Sequence, residues 1–396
     1  MSPEECVRCG ACTAVCPVYR HTGQEGHSAR GKMLVLAAGF AERPAPALAE
    51  LLGRCLMCGA CAAVCPRRLP LLETFAAARS RLPSGSGTRP GRRRLLRLLL
   101  SSPRLLELLA GLGIGLVRLE LLPGDSGLWR KLGLPPPAGA ALLAPMEPLP
   151  SPAAADDSIQ LFAGCLARFL QPEIIEASRV LAARAGIALA DLAGQACCGL
   201  AAWSAGDLEG ARRLARHNIV LYRELPGAII TPCASCQVQL QRYGALLADD
   251  PGWAEEAARF SARVRGLFDV LPVPHAAAAV EAAGAEFPVF FHQSCHLRHH
   301  PELAVGPQQL LAARSDIRLL VPGGRDLCCG QGGLFQQAYP AASQAIFTPL
   351  YQQVASAGAL LVVTSCSGCL LQWQTELAAR DSGIRALHLA VFLAQA

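Results

Sequence analysis

Eighteen cysteines stand out in this 396-residue chain, and every one of them falls inside a repeat. The first repeat sets CVRCGACTAVCP (6–17) against CLMCGACAAVCP (55–66), each cysteine at an offset of 49. Thiolates are soft metal ligands, and C-x2-C-x2-C places three of them at the corners of one [4Fe–4S] cubane. The fourth, in x3-C-P, lies beyond the other three and reaches the other cluster. Cys6, Cys9 and Cys12 are therefore expected to share a cluster with Cys65, and Cys55, Cys58 and Cys61 with Cys16. Gly10 and Gly59 follow the second cysteine of each run and permit tight turns. Pro17 and Pro66 redirect the chain after the fourth. Zinc is the competing metal, but it needs only two C-x2-C pairs. Eight ligands in two complete copies favour two [4Fe–4S] clusters.

The second repeat is longer. Cys165, Cys197, Cys198, Cys233 and Cys236 recur as Cys295, Cys328, Cys329, Cys366 and Cys369, at offsets of 130 to 133. Each copy carries a Cys-Cys-Gly triplet, which offers two adjacent thiolates to one polynuclear site. Five thiolates per copy is one more than a cubane requires. The alternatives are zinc or plain core packing; the residue pattern favours a further iron–sulfur site over both. His292, His296, His299 and His300 crowd around Cys295. They read either as proton donors or extra ligands, or as a polar loop after a strand. With GQGG opening the chain after Cys329, the second copy is the better place for an active cluster. No dinucleotide fingerprint, phosphate loop or Ser/His/Asp set accompanies these cysteines, so no catalytic residue is assigned.

Elements must bring the distant thiols together. Short apolar runs (158–165, 227–236, 287–295, 316–330 and 359–369) are expected to end as strands within a residue or two of Cys165, Cys233, Cys295, Cys328 and Cys366, and helical stretches such as 172–186, opened by Pro172, lie between them. Strands alternating with helices imply parallel sheets, whose binding sites form at the carboxyl ends of strands. Five thiols per copy are then expected to converge on one sheet edge, in two duplicate modules related by a pseudo-two-fold axis. The expected fold class is α+β overall: an N-terminal helical dicluster ferredoxin domain (1–82), then two duplicated parallel α/β cysteine-rich modules (158–286 and 287–396). A helical connector (83–122) and a linker with eight prolines (123–157) separate them. In the connector Arg93, Arg97 and Arg104 share one helical face. That face suits an anionic surface or partner, but an ordinary solvated face is the favoured reading.

Composition limits the remaining classes. Hydrophobic residues make up 52% and charged residues 17%, which excludes a disordered chain. Aromatics are only 5%, so Ala, Leu and Val must fill the cores. The net charge of +6 invites a nucleic-acid reading, but Lys32 and Lys131 are the only lysines beside many arginines. That bias is compositional, and no nucleic-acid partner is expected. The start of the chain lacks a basic region followed by an apolar one, so no signal peptide is expected. The uncharged run 108–117 is half of the roughly 20 residues a spanning helix needs. A cytoplasmic protein is expected, with peripheral contact at the inner face of the membrane as an extension. In that compartment thiols serve metals more often than disulfides.

These motifs carry a resemblance. The tandem cysteine runs, SARGKMLVL (28–36) between them, the two CCG copies and DLCCGQGGLF (326–335) resemble the iron–sulfur subunits of glycolate oxidase over nearly the whole chain. The layout is also similar to the C subunit of anaerobic glycerol-3-phosphate dehydrogenase and, in the CCG copies, to heterodisulfide reductase and lactate-utilisation proteins. The resemblance implies two [4Fe–4S] clusters on the first eight cysteines and one or two non-cubane clusters on the CCG cysteines. It implies electron transfer from FAD-containing dehydrogenase subunits towards quinone or another acceptor, with glycolate oxidised to glyoxylate by the partner. The alternatives are a heterodisulfide- or quinone-reducing module, or the iron–sulfur subunit of a glycerol-3-phosphate or lactate dehydrogenase. A structural zinc protein is a third, weaker reading.

Overall fold

The computed structural model describes residues 3–39, 46–82, 159–273, 286–321 and 327–395. The expected connector, its arginine face and the proline-rich linker lie outside the described residues. The chain divides into two compact units. The first holds the N-terminal part together with 199–211 and 324–352, and the second holds the remainder. Two segments that fall within the cysteine-rich modules by sequence thus pack with the N-terminal unit. No helix among the described residues is long and apolar enough to cross a membrane.

The N-terminal part is built of short helices: Ala11–Val15, Pro17–Thr22, Ala29–Ala37, Pro46–Gly53, Ala60–Ala63 and Leu71–Ser80. Gly10 and Gly59 precede two of them with φ of 83° and 86°, a left-handed conformation that costs glycine nothing. Pro17 stands at the first position of its helix, where its missing N–H is no loss. Ser28 caps Ala29–Ala37, its Oγ accepting from the Gly31 amide at 3.1 Å. The core of this unit joins Val18 and Leu56 to Phe335, Ala338, Tyr339 and Ile346, with Cys16, Cys58 and Cys328 packed against it. Tyr339 donates to Glu50 at 3.1 Å, and the Arg54 guanidinium lies 5.3 Å from its ring centre.

The second unit contains two four-stranded sheets. Strands β1 (Ile159–Leu161), β2 (Leu189–Asp191), β3 (Ile229–Thr231) and β4 (Val264–Gly266) form the first, in the order β2-β1-β3-β4. Strands β5 (Phe287–Phe291), β6 (Ile317–Leu320), β7 (Leu361–Thr364) and β8 (Arg385–His388) repeat the arrangement as β6-β5-β7-β8. Every strand pair is parallel. Helices ahead of the sheets make the chain α+β overall. The expected helix is Glu173–Arg184, with Pro172 at its N-cap.

In each sheet the connections leave the two central strands in opposite directions. A crevice therefore opens between the carboxyl ends of β1 and β3, and of β5 and β7. β2, β4 and β8 have no counterpart in the apolar runs. They are three or four residues long and carry Asp191, Arg265 and Arg385. The run at 316–330 is a strand only over Ile317–Leu320, where Arg318 and Leu319 are exposed.

Candidate metal centres

In the first unit one cavity is lined by Cys6, Cys9, Cys12 and Cys65, the set expected from the crossed spacing, with Cys61 on its wall. Cys9 is exposed and the others are half-buried. Arg8, Arg30 and Arg67 also line it, and Arg30 pairs with Glu25 at 2.8 Å. The second set is the complement. The strongest electrostatic neighbours of Cys61 are Cys55, Cys58 and Cys16, and that of Cys16 is Cys55. Burial raises the Cys12 and Cys16 thiols and lifts Cys61 well above the usual range. Such thiols give up their protons when a metal takes their place. Two groups of four soft donors, the first lining a cavity and the second made of electrostatic neighbours, fit two [4Fe–4S] cubanes.

In the first sheet of the second unit three of the four strand ends deliver thiols. Cys165 opens the helix after β1, Cys197 and Cys198 follow β2, and Cys233 caps the helix after β3 with Cys236 one turn further on. The strand-to-cysteine gap is two residues only for Cys233 and Cys366; the other runs end earlier. At Cys165 the gap contains Gly164, whose φ is +82° and whose added Cβ would lie 3.0 Å from the Cys236 sulfur. The backbone there approaches the site as closely as glycine allows.

Cys165 and Cys197 sulfurs stand 3.6 Å apart, and Cys236 hydrogen-bonds to Cys198 and Cys233. All five thiols of the first copy therefore gather. A buried polar cage holds the Cys-Cys pair. Asn218 accepts from Ala196 at 3.0 Å and donates to the Cys197 carbonyl at 3.2 Å. Tyr243 donates to the Cys198 carbonyl at 2.9 Å. Gln195 clamps the end of β1 by accepting from Ala163 at 3.0 Å and donating to Leu161 at 2.7 Å.

The second copy follows the same plan, with Cys295 opening the helix after β5 and Cys366 capping the helix after β7. Cys366 hydrogen-bonds to Cys369 and also to Cys233, its own equivalent in the first copy. A residue meeting its equivalent is the signature of a two-fold relation. Cys236 and Cys366 both donate to Cys233, which holds it well below the usual thiol range, and the bond to Cys233 pushes Cys366 up to about 12. Ser235 lies 2.9 Å from the Cys366 sulfur and 3.0 Å from His296 Nδ1. Burial pushes His296 down to about 4. Its ring stands 3.7 Å from Cys295. Cys328 and Cys329 belong to the first unit. Gly330 there takes φ +80°, as Gly199 takes +87° in the first triplet, so the glycine of each triplet is set by the backbone. His300 instead faces Glu302 at 3.4 Å on the surface.

Sequence reasoning passed over Ser235, Asn218, Tyr243, Gln195, Lys32, Arg79 and His388. Only Ser235, inside Cys233–Cys236, carries a local signal; the rest are ordinary residues until the fold places them.

Residues 2–69 match the 4Fe-4S dicluster domain family, and 159–241 and 289–374 match the cysteine-rich domain family known as CCG. The chain thus carries one 4Fe-4S dicluster domain followed by two CCG domains. Over 99% of its length and 93% of the relative's, it is 29% identical to the probable glycolate oxidase iron-sulfur subunit of Bacillus subtilis (strain 168). It is 26% identical to lactate utilization protein A of the same organism, over 59% of this chain and 98% of that protein. The figures for lactate utilization protein A of Shouchella clausii are 27%, 60% and 98%.

Proposed function

We propose that the chain is the electron-transfer subunit of a flavin-dependent 2-hydroxyacid dehydrogenase, with glycolate as the partner's substrate and quinone as the acceptor. The observation that carries the reading is the likeness to a glycolate oxidase iron-sulfur subunit across both kinds of domain, where lactate utilization protein A spans only part of this chain. Cys6, Cys9, Cys12 and Cys65 hold one [4Fe–4S] cluster; Cys16, Cys55, Cys58 and Cys61 hold the other. The five thiols of the first CCG copy, Cys165, Cys197, Cys198, Cys233 and Cys236, hold a further cluster. When bound, such clusters take up and release single electrons. The thiols anchor them, and in the CCG copies seven of the ten cysteines are buried away from water. In this reading FAD subunits oxidise the substrate and this chain takes up the electrons.

Co-expression with FAD-binding subunits tests this reading. The complex is expected to reduce an artificial acceptor with glycolate, and the chain alone is not. Turnover of glycolate by the pure chain would overturn the proposal.

A second reading has its own observation. Cys233 and Cys366 meet between the two copies, beside Ser235 and His296. That is a suitable place to reduce a disulfide or quinone. Reduction of a disulfide by the dithionite-reduced chain, without partners, would favour it.

A further inference from the structure

The two four-thiol groups of the first unit differ in the charges around them. The Cys6, Cys9, Cys12 and Cys65 group opens to water: Cys9 is exposed and Val7 is 61% exposed. Arg8, Arg30 and Arg67 line that opening, and Arg30 donates to the Arg8 carbonyl at 3.3 Å and is balanced by Glu25. Water and a carboxylate together screen that charge.

Lys32 lies beside the Cys16, Cys55, Cys58 and Cys61 group and is only 1% exposed. It is placed there by close packing. An added Cβ on Gly31 would lie 2.3 Å from the Glu25 carbonyl, so helix Ala29–Ala37 presses directly on the turn Glu25–His27. The Lys32 ammonium donates to the His27 carbonyl, and the same carbonyl accepts from the Cys16 sulfur at 3.7 Å. One oxygen thus joins the ammonium to a thiol of the group. The strongest electrostatic partners of Lys32 are Cys55 and Cys16, with Cys61 a weaker one. Arg79 approaches from another side. It donates to the carbonyls of Leu52 at 3.0 Å, Gly53 at 3.2 Å and Cys55 at 2.8 Å, and to that of Ser204. Its strongest electrostatic partner is Cys55.

Two cations therefore converge on one group of thiols, and they repel each other. Burying an ammonium against a carbonyl is costly unless negative charge lies close by. A cubane on four thiolates is that negative charge, and it becomes more negative on reduction. A fixed cation at short range, out of water, favours the reduced form most.

We propose that Lys32, assisted by Arg79, is a redox-tuning residue that makes the Cys16, Cys55, Cys58 and Cys61 cluster the one reduced first, ahead of the cluster on Cys6, Cys9, Cys12 and Cys65. The inference rests on the reading of two cubanes given above. Each cluster takes one electron; Lys32 keeps its proton, and no bond to the protein forms or breaks.

The test is a dithionite redox titration of the anaerobically purified full chain, followed by EPR. Cys9→Ser identifies the signal of the shallower cluster. In the unmodified chain the deeper cluster is expected to reduce first. Lys32→Met is expected to shift its reduction equilibrium at least tenfold towards the oxidised form, about 59 mV for one electron. The shallower cluster should move less than threefold. Lys32→Arg should restore most of the shift, and Arg30→Met should leave both clusters nearly unchanged. A merely structural Lys32 would move neither signal, or would move both alike, and that outcome overturns the proposal. If Lys32→Met fails to load its cluster, Arg79→Gln and the order of reduction in the unmodified chain decide. A shallower cluster that reduces first overturns the proposal by itself. Fewer than eight irons in the unmodified chain would instead defeat the reading of two cubanes.

Discussion

The two units build thiol sites in different ways. In the N-terminal part each run of cysteines winds from a left-handed glycine into a helix of four or five residues, and its sulfurs stay half-exposed. In the second unit the first copy's thiols arrive from three strand ends, and four of the five, Cys197, Cys198, Cys233 and Cys236, are buried. Local spacing is enough to make a shallow site. A deep one needs a sheet to gather it and polar side chains to satisfy the backbone around it, as Asn218, Tyr243 and Gln195 do.

The largest effect should come from breaking the crossed ligation. Cys16→Ser is expected to perturb the cluster held by Cys55, Cys58 and Cys61 and to spare the cluster on the first run. EPR of the reduced variant reads this directly, and loss confined to the first-run cluster would refute the crossing.

Glycines sharpen the comparison next. Gly164→Ala in the second unit forces a Cβ against the Cys236 sulfur at φ +82°, and should cost up to about 3 kcal/mol in denaturant unfolding. Gly10→Ala carries the same backbone strain at φ +83°, but its Cβ meets only the flexible tip of Arg30. It should cost less. Equal losses would mean that the deep site is no tighter than the shallow one.

Tyr243→Phe removes the hydroxyl that supports Cys198 and Asn218. A loss of about 1 kcal/mol is expected. An unchanged unfolding midpoint would show that the polar cage is dispensable.

The smallest effect concerns pH. Burial pushes His388 down to about 4, so the folded chain keeps it neutral while the unfolded chain protonates it near 6.5. Its contribution is complete above pH 6.5 and is lost as pH falls towards 4. Between pH 7 and 6 the loss should stay under about 1 kcal/mol. His388→Gln should flatten that slope, and an identical slope in the variant would contradict the assignment.

The same contrast explains what could be read in the sequence. The crossed sets proposed for the first unit were legible from the duplicated spacing, which puts three ligands of each set within a turn or two of one another and takes the fourth from the other run. The parallel sheets were legible from apolar runs such as 227–236 and 359–369. β2, β4 and β8 were not, since three or four residues with a charge among them show no periodicity. The place of Cys328 and Cys329 in the first unit was not legible either. It depends on how Phe335 and Tyr339 pack against Leu56. Lys32 was one lysine in a chain of arginines. Only the contact of Gly31 with Glu25 turns it inward, and a close backbone approach leaves no mark in composition.

The account rests most directly on iron. The anaerobically purified full chain should contain at least eight irons and eight acid-labile sulfides, with the signals of two reduced [4Fe–4S] clusters in EPR. Zinc in stoichiometric amount without labile sulfide would contradict it.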